Sequence, residues 1–160
     1  MNVESALLWG FVATAVLTGL LAAAQGLGLS RISLPFVLGT MVTSDRDTAM
    51  VYGGLLHFVN GWIFTFGYVA IFDNLHQATW WIGALIGVAH ALLVLLLVLP
   101  VLPDLHPRMA SERHGPTPTR LLQPPGFLGL NYGFQTPLVA IVAHVAYGVI
   151  LGMFYAPRGA

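Results

Sequence analysis

The sequence contains no cysteine, and only 8% of its 160 residues carry a charged side chain. Without cysteine there are no disulfide bonds, thiolate metal sites or iron–sulfur ligands, so histidine, carboxylate, methionine and amide groups remain as metal ligands. Soluble domains carry about a quarter charged residues, so this chain is not an ordinary soluble domain. Six basic residues balance six acidic ones without any basic block, which removes the electrostatic basis for binding nucleic acid.

Hydrophobic residues make up 57% of the chain and fall into four long apolar runs. A hydrocarbon core of about 30 Å needs about 20 apolar residues per helix, which each run can supply. We therefore predict a single-domain, all-α integral membrane protein, a bundle of four transmembrane helices solvated by the lipid bilayer. The predicted helices cover about 5–24, 48–72, 79–99 and 136–155, and the long loops cover about 27–47 and 101–135.

Proline and glycine residues mark the predicted helix ends and loops. Pro100 and Pro103 are expected to end the third helix, because proline lacks the N–H that a helix interior uses. Pro35 and Gly39 interrupt the apolar piece 32–42, which is too short to span and is expected to form a short interfacial helix or a shallow re-entrant segment.

The distribution of arginines predicts the orientation in the membrane. Four crossings place both termini and the turn at 73–78 on one side and the two long loops on the other. The terminal side carries only Arg158. The loop side carries five arginines: Arg31, Arg46, Arg108, Arg113 and Arg120. The positive-inside rule therefore predicts cytoplasmic long loops and termini outside.

Small residues recur at helical spacing in the third and fourth runs. Gly83 and Gly87 form one GxxxG pair, and Gly148 and Gly152 form another. Such pairs let helices approach closely, either within one bundle or against partner helices and further copies of the chain. On the second helix, Tyr68 is expected on the side that faces lipid or the interfacial belt.

Each of the last three predicted helices carries one interior histidine: His57, His90 and His144. Each lies about eight or nine residues from the predicted cytoplasmic end of its helix, or about 13 Å at 1.5 Å per residue. Each also shares a face with glycines, so we expect the three imidazoles to converge in the bundle interior. Ionisable residues within membrane spans usually face the interior and are candidates for function.

Three convergent histidines with an open fourth position are typical of catalytic zinc sites, and imidazole also suits copper and iron. Two trans histidines could instead hold a haem, and Asn60, three residues after His57, could support a ligand from the second shell. The alternatives are histidines that only hydrogen-bond between helices, and a proton or ion relay. The hydrolase motifs HExxH and GxSxG and the Walker nucleotide motif are absent, so the sequence assigns no enzyme activity.

A weaker candidate metal set lies in the polar loop that follows the third helix. It consists of Asp104, His106 and Met109, with Glu112 and His114 close behind. These side chains could bind a soft or borderline metal at the cytoplasmic surface. The alternative is a solvated loop without a ligand.

Three short motifs resemble those of a group of uncharacterised bacterial four-helix inner-membrane proteins. They are Gly54-x-x-His57 with Asn60-Gly61-Trp62 and Phe66-Gly67-Tyr68, the stretch Leu102-Pro-Asp-Leu-His-Pro-Arg-Met109, and Ala143-His144-x-x-Tyr147-Gly148. The second and fourth helices are also distantly similar to YagU-type inner-membrane proteins. The resemblance implies a multi-pass protein of the bacterial inner (plasma) membrane. The sequence leaves two hypotheses for the function: an intramembrane metal-binding or haem-binding protein, and a noncatalytic accessory or scaffolding subunit of a larger membrane complex.

Overall fold

The computed structural model describes residues 1–111, 113–120 and 122–157, and within these ranges the regular elements are all helical. The helices are α1 (Val3–Gly26), α2 (Leu34–Gly39), α3 (Arg46–Leu75), α4 (Trp80–Leu93), α5 (Leu99–Leu105) and α6 (Thr136–Phe154), with a π-helical turn at Val94–Val98 and a 3₁₀ helix at Phe127–Tyr132. Four helical stretches, namely α1, α3, the continuous stretch Trp80–Leu105 and α6, are long and apolar enough to cross a membrane. The prediction of an all-α chain with four such helices is therefore confirmed.

Polar side chains cap the first residues of α2 and α3. The Ser33 hydroxyl accepts a hydrogen bond from the Phe36 amide, and the Asp45 carboxylate accepts one from the Thr48 amide at 2.9 Å. These bonds satisfy amides that have no partner inside the helix. The bond from Thr48 also holds the pKa of Asp45 below its usual range, since it stabilises the charged carboxylate.

The third span does not end at Pro100, and this sequence prediction is wrong. The helix widens into the π-helical turn at Val94–Val98 and continues as α5 to Leu105. Pro100 falls in the first turn of α5, where a missing N–H is tolerated, because the preceding π turn has already interrupted the regular hydrogen bonding. Pro103 lies inside α5, which ends two residues later.

The two glycine pairs bring α4 and α6 into backbone contact. A Cβ atom added to Gly83 would overlap the carbonyl oxygen of Gly148, and one added to Gly148 would overlap the carbonyl oxygen of Gly83. A Cβ on Gly152 would meet the carbonyl of Thr79 in the same way. The GxxxG pairs are thus used inside the bundle. α6 also packs against α1, and α1 packs against α3, so that α6 lies at the centre of the four long helices.

The two chain ends lie together at one end of the bundle. The Met1 amine forms an ion pair with Asp73, at the end of α3, with 2.9 Å between nitrogen and oxygen. The Ser5 hydroxyl accepts a hydrogen bond from the Ala156 amide at 3.0 Å. The loops that contain α2 and the 3₁₀ helix lie at the opposite end, where the Arg31 amide donates to the Tyr132 carbonyl. This grouping agrees with an even number of crossings. Arg158 lies outside the described residues.

Candidate functional site

The structure brings His90 on α4 and His144 on α6 into direct ring contact. Their ring centroids lie 4.5 Å apart with an interplanar angle of 75°. The close approach of the two helices at their glycines makes this contact possible, because a Cβ on Gly87 would meet the His144 carbonyl oxygen at 2.5 Å. The face of His90 also stacks on Phe64 of α3, with centroids 3.9 Å apart. His90 therefore lies where three helices meet.

The hydrogen bond of His144 defines which of its nitrogens carries a proton. Its Nδ1 lies 2.7 Å from the carbonyl oxygen of Ala140, one turn earlier on α6. A carbonyl only accepts, so Nδ1 is the donor. In the neutral ring, Nε2 then carries a free lone pair, which is the form in which imidazole binds a metal ion. His144 is 5% exposed, so this lone pair belongs to a residue that is shielded from bulk solvent.

Buried tyrosines surround the two imidazoles. The Tyr68 hydroxyl lies 3.2 Å from His90 Nδ1, and the Tyr147 hydroxyl donates to the Gly61 carbonyl at 2.6 Å. Tyr147 also lies 2.6 Å from the hydroxyl of Thr65. Tyr68 is only 2% exposed, so its predicted place towards lipid is wrong. The helical spacing of His57, Gly61 and Tyr68 along α3 puts Tyr68 near the inward side, and this spacing is a better guide here than the preference of tyrosine for membrane interfaces.

His57 is half-buried on α3, and its Nε2 atom has no solvent exposure and no hydrogen-bond partner among the described residues. His57 lies one turn before Gly61 on α3, and the Gly61 carbonyl accepts a hydrogen bond from Tyr147, which lies one turn after His144 on α6. Asn60, predicted as its supporting partner, is exposed on the outside of α3, and no hydrogen bond joins its amide to any described residue. The structure therefore leaves the Nε2 atom of His57 buried without a partner, and it leaves Asn60 on the outside of the bundle.

The described part of the chain contains no group of three or more histidine, aspartate or glutamate side chains that is arranged to hold a metal ion. His90 and His144 are in contact, and His57 stands apart from them as a third imidazole. The ring contact also bears on haem. Metal–nitrogen distances of about 2 Å on each side place two axial imidazole centroids about 6 Å apart, with the porphyrin between them. Rings at 4.5 Å cannot be that axial pair.

The second candidate metal set, Asp104, His106 and Met109, is not arranged as a metal site, and His106 instead attaches the loop to α2. His106 is 1% exposed, and its Nε2 lies 2.9 Å from the Val37 carbonyl while its Nδ1 accepts a hydrogen bond from the Arg108 amide. Both ring nitrogens are therefore in use, and the ring fastens the loop to the last turn of α2. Burial lowers the pKa of His106, which keeps the ring neutral as this bonding requires. Met109 is fully buried and Asp104 is exposed, so the three side chains do not share one surface. Glu112 lies outside the described residues.

A shallow groove of about 220 Å³ runs along the outside of the bundle between α3 and α4. His90 and Tyr68 lie in its floor, and Phe64, Ile86 and Leu93 form much of its apolar wall. His90 therefore has one side directed to this groove between α3 and α4. No family model, curated protein or solved structure matches this chain.

Proposed function

We propose that this chain is a multi-pass protein of a bacterial inner membrane, with its long loops in the cytoplasm and its termini outside. The four apolar helical stretches and the shared position of the two chain ends support an even number of crossings. Arginine enrichment on the loop side supports the direction. The YagU-like resemblance supports the bacterial inner membrane. Fusing alkaline phosphatase or green fluorescent protein after residue 78 tests the direction: phosphatase activity is expected there, and fluorescence alone would reverse the orientation.

We further propose that the imidazole group binds a transition-metal ion within the bundle. The observation that carries this proposal is the buried, unpartnered Nε2 atom of His57, one turn before the Gly61 carbonyl that accepts a hydrogen bond from Tyr147 of α6. A buried polar atom without a partner costs about 1–3 kcal/mol in protein interiors, and it indicates a missing ligand, ion or water. The Nε2 atom of His144 carries a lone pair and could serve as a second metal ligand. The ring of His90 contacts the ring of His144 and offers a third imidazole.

The chemistry of the donors selects the kind of metal. Three neutral imidazoles without thiolate or carboxylate suit Zn, Cu, Fe or Ni rather than Mg or Ca, which prefer oxygen ligands. The hydrogen bond from His144 Nδ1 to the Ala140 carbonyl would orient the ring as metal-ligating histidines commonly are. Placing three nitrogens on one ion requires a side-chain rotation of His57 or His90. Because His90 and His144 touch, a single ion fits this pair better than a haem.

Metal analysis of the full chain tests this proposal. The protein is purified in detergent with a removable tag free of histidine, and its metal content and absorption spectrum are measured before and after addition of Zn²⁺ or Cu²⁺. About one ion per chain is expected, and His144→Ala or His90→Ala should abolish binding. His114→Ala, in the exposed loop, is the matched control and should keep the ion. Binding that survives His144→Ala contradicts the proposal.

The outer face of α3 favours the second candidate, an accessory or scaffolding subunit that associates with a second copy of itself. Asn60 lies in the middle of α3 and is exposed, between the exposed side chains of Leu56 and Ile63. A primary amide both donates and accepts, so two copies related by an axis along the membrane normal could pair Asn60 with Asn60. Interhelical hydrogen bonds of this kind contribute about 0.6–2 kcal/mol in membranes.

The oligomeric state of an Asn60 variant tests the second candidate. Light scattering of the detergent-solubilised chain should show a dimer that becomes a monomer in Asn60→Leu. Asn74→Leu is the matched control, because Asn74 is also exposed on α3 but lies near the end of the helix. A monomer in the unsubstituted chain, or a dimer that persists in Asn60→Leu, contradicts self-association through this face.

A further inference from the structure

A cavity of about 390 Å³ lies at the loop end of the bundle, between the end of α1, the short helix α2 and the start of α3. Two arginines line it, Arg31 from the loop after α1 and Arg46 from the first turn of α3. Ser33 and Tyr132 contribute further polar groups, and no acidic residue lines the cavity. The cavity therefore concentrates two positive charges at the level where the apolar part of the bundle ends.

Contacts within the protein hold Arg31 in place but leave much of its guanidinium free. Its backbone amide donates to the Tyr132 carbonyl at 2.7 Å, and its Nη2 donates to the Asn131 carbonyl at 2.6 Å. A guanidinium has five N–H donors, so several remain for a ligand. The Tyr132 hydroxyl is itself fixed, since it donates to the Gln123 carbonyl at 2.6 Å. This wall of the cavity is thus organised before any ligand arrives.

Arg46 is held less tightly on the opposite wall. Its guanidinium carbon lies 5.9 Å from the centre of the Phe36 ring, which is the distance of a cation–π contact. Across residues 1–111, 113–120 and 122–157, neither Arg31 nor Arg46 makes an ion pair. Asp45 and Asp47 flank Arg46 in sequence, but neither lines the cavity, and the Asp45 carboxylate caps α3 through Thr48. The two arginine charges are therefore not neutralised by the protein.

The geometry points to a phosphate-binding site whose ligand is the headgroup of an anionic phospholipid in the leaflet on the loop side. Arginine forks match the geometry of phosphate oxygens, and basic pockets between membrane helices recognise anionic headgroups. Phe36, Val37 and Met50 line the same cavity, so the site offers apolar surface to the lipid backbone beside the charges. A free phosphate would use the arginines but not these apolar side chains. This inference uses none of the imidazoles and goes beyond the proposed function.

Native mass spectrometry of the full chain in neutral detergent tests the inference. Binding of phosphatidylglycerol, phosphatidylcholine and inorganic phosphate is measured separately. Arginine near a membrane surface contributes about 1 kcal/mol to binding an anionic lipid, which is about fivefold in Kd for each arginine and about 30-fold for both. We expect R31Q/R46Q to lose phosphatidylglycerol by that factor. R31K/R46K, which keeps the charges, should recover part of the binding.

Arg113→Gln is the matched control, since Arg113 lies on the same side of the bundle but outside this cavity. If R31Q/R46Q does not fold, R46Q alone is tested, because the guanidinium of Arg46 makes no hydrogen bond within the described residues. Displacement of phosphatidylglycerol by millimolar phosphate supports the same site with a soluble ion as its source, and resistance to phosphate supports the lipid. The inference is overturned if R31Q/R46Q binds phosphatidylglycerol within twofold of the unsubstituted chain, or if Arg113→Gln loses as much affinity.

Discussion

Replacing Gly83 with alanine tests whether α4 and α6 are held together by backbone contact. The new Cβ would overlap the Gly148 carbonyl oxygen and would lie 3.2 Å from the Gly152 nitrogen. Both atoms belong to the backbone, so the overlap is relieved only by moving one helix away from the other. Overpacking of this kind costs about 1–3 kcal/mol, and the better helix propensity of alanine offsets about 1 kcal/mol of it.

The expected net loss for Gly83→Ala is up to about 2 kcal/mol in the free energy of unfolding, or up to about 30-fold in the ratio of folded to unfolded protein. Unfolding is followed by circular dichroism during titration of the detergent-solubilised chain with dodecyl sulfate. Gly67→Ala is the control, because a Cβ on Gly67 would meet no atom within 4 Å. It should leave stability unchanged or raise it by up to about 1 kcal/mol. Equal stabilities of Gly83→Ala and Gly67→Ala, within about 0.5 kcal/mol, would refute the reasoning.

Three further predictions follow from hydrogen bonds described above. Burial lowers the pKa of His106 in the folded chain, so the attachment of its loop should be complete above about pH 6.5 and should weaken as the pH falls from there through the lowered pKa. Amide hydrogen exchange of residues 106–110 measures this attachment. The variant His106→Gln should remove the pH dependence. Tyr147→Phe removes one of two hydroxyl groups that donate to the Gly61 carbonyl, because Thr65 also donates to it. The free energy of unfolding in the dodecyl sulfate titration should fall by about 0.6–1 kcal/mol. An unchanged free energy of unfolding would show that the bond is not stabilising. Asp45→Ala removes the cap of α3 and should cost about 1 kcal/mol in the same titration, with Asp45→Asn retaining most of the stability.

The long helices were predictable because one property, apolar length, decides them. Each span needs about 20 apolar residues, and the sequence contains four such runs. The observed α3 begins at Arg46, two residues before the predicted start at about residue 48, because Asp45 caps the helix and its first turn is polar. Pro100 predicts too early an end for the third span, because proline in a helix interior usually ends the helix. A π-helical turn that accommodates Pro100 leaves no separate signal in the sequence.

For the candidate site, the sequence predicts which helix carries each histidine and how far each lies from a helix end, but it does not predict the contacts between them. Counting residues from the predicted helix ends places His57, His90 and His144 at similar levels. Counted from the observed ends at Arg46, Leu105 and Thr136, they lie 11, 15 and 8 residues in, and no count tells which rings touch. That depends on how closely α4 approaches α6, which the facing glycines decide. Tyr68 differs in this respect, since its helical spacing from His57 and Gly61 already indicates the buried side of α3. Partners of His106 lie 66 and 69 residues away in the chain, and no local pattern indicates them.

The π-helical turn at Val94–Val98 divides the third span into two mechanically different halves. The first half is clamped against α6 through glycine, whereas most side chains in the second half face outward. Interrupted hydrogen bonding followed by proline is a common place for a helix to hinge. Bending of this helical stretch should therefore concentrate at the turn, and the loop that follows α5 can tilt while the imidazoles on α4 and α6 keep their positions.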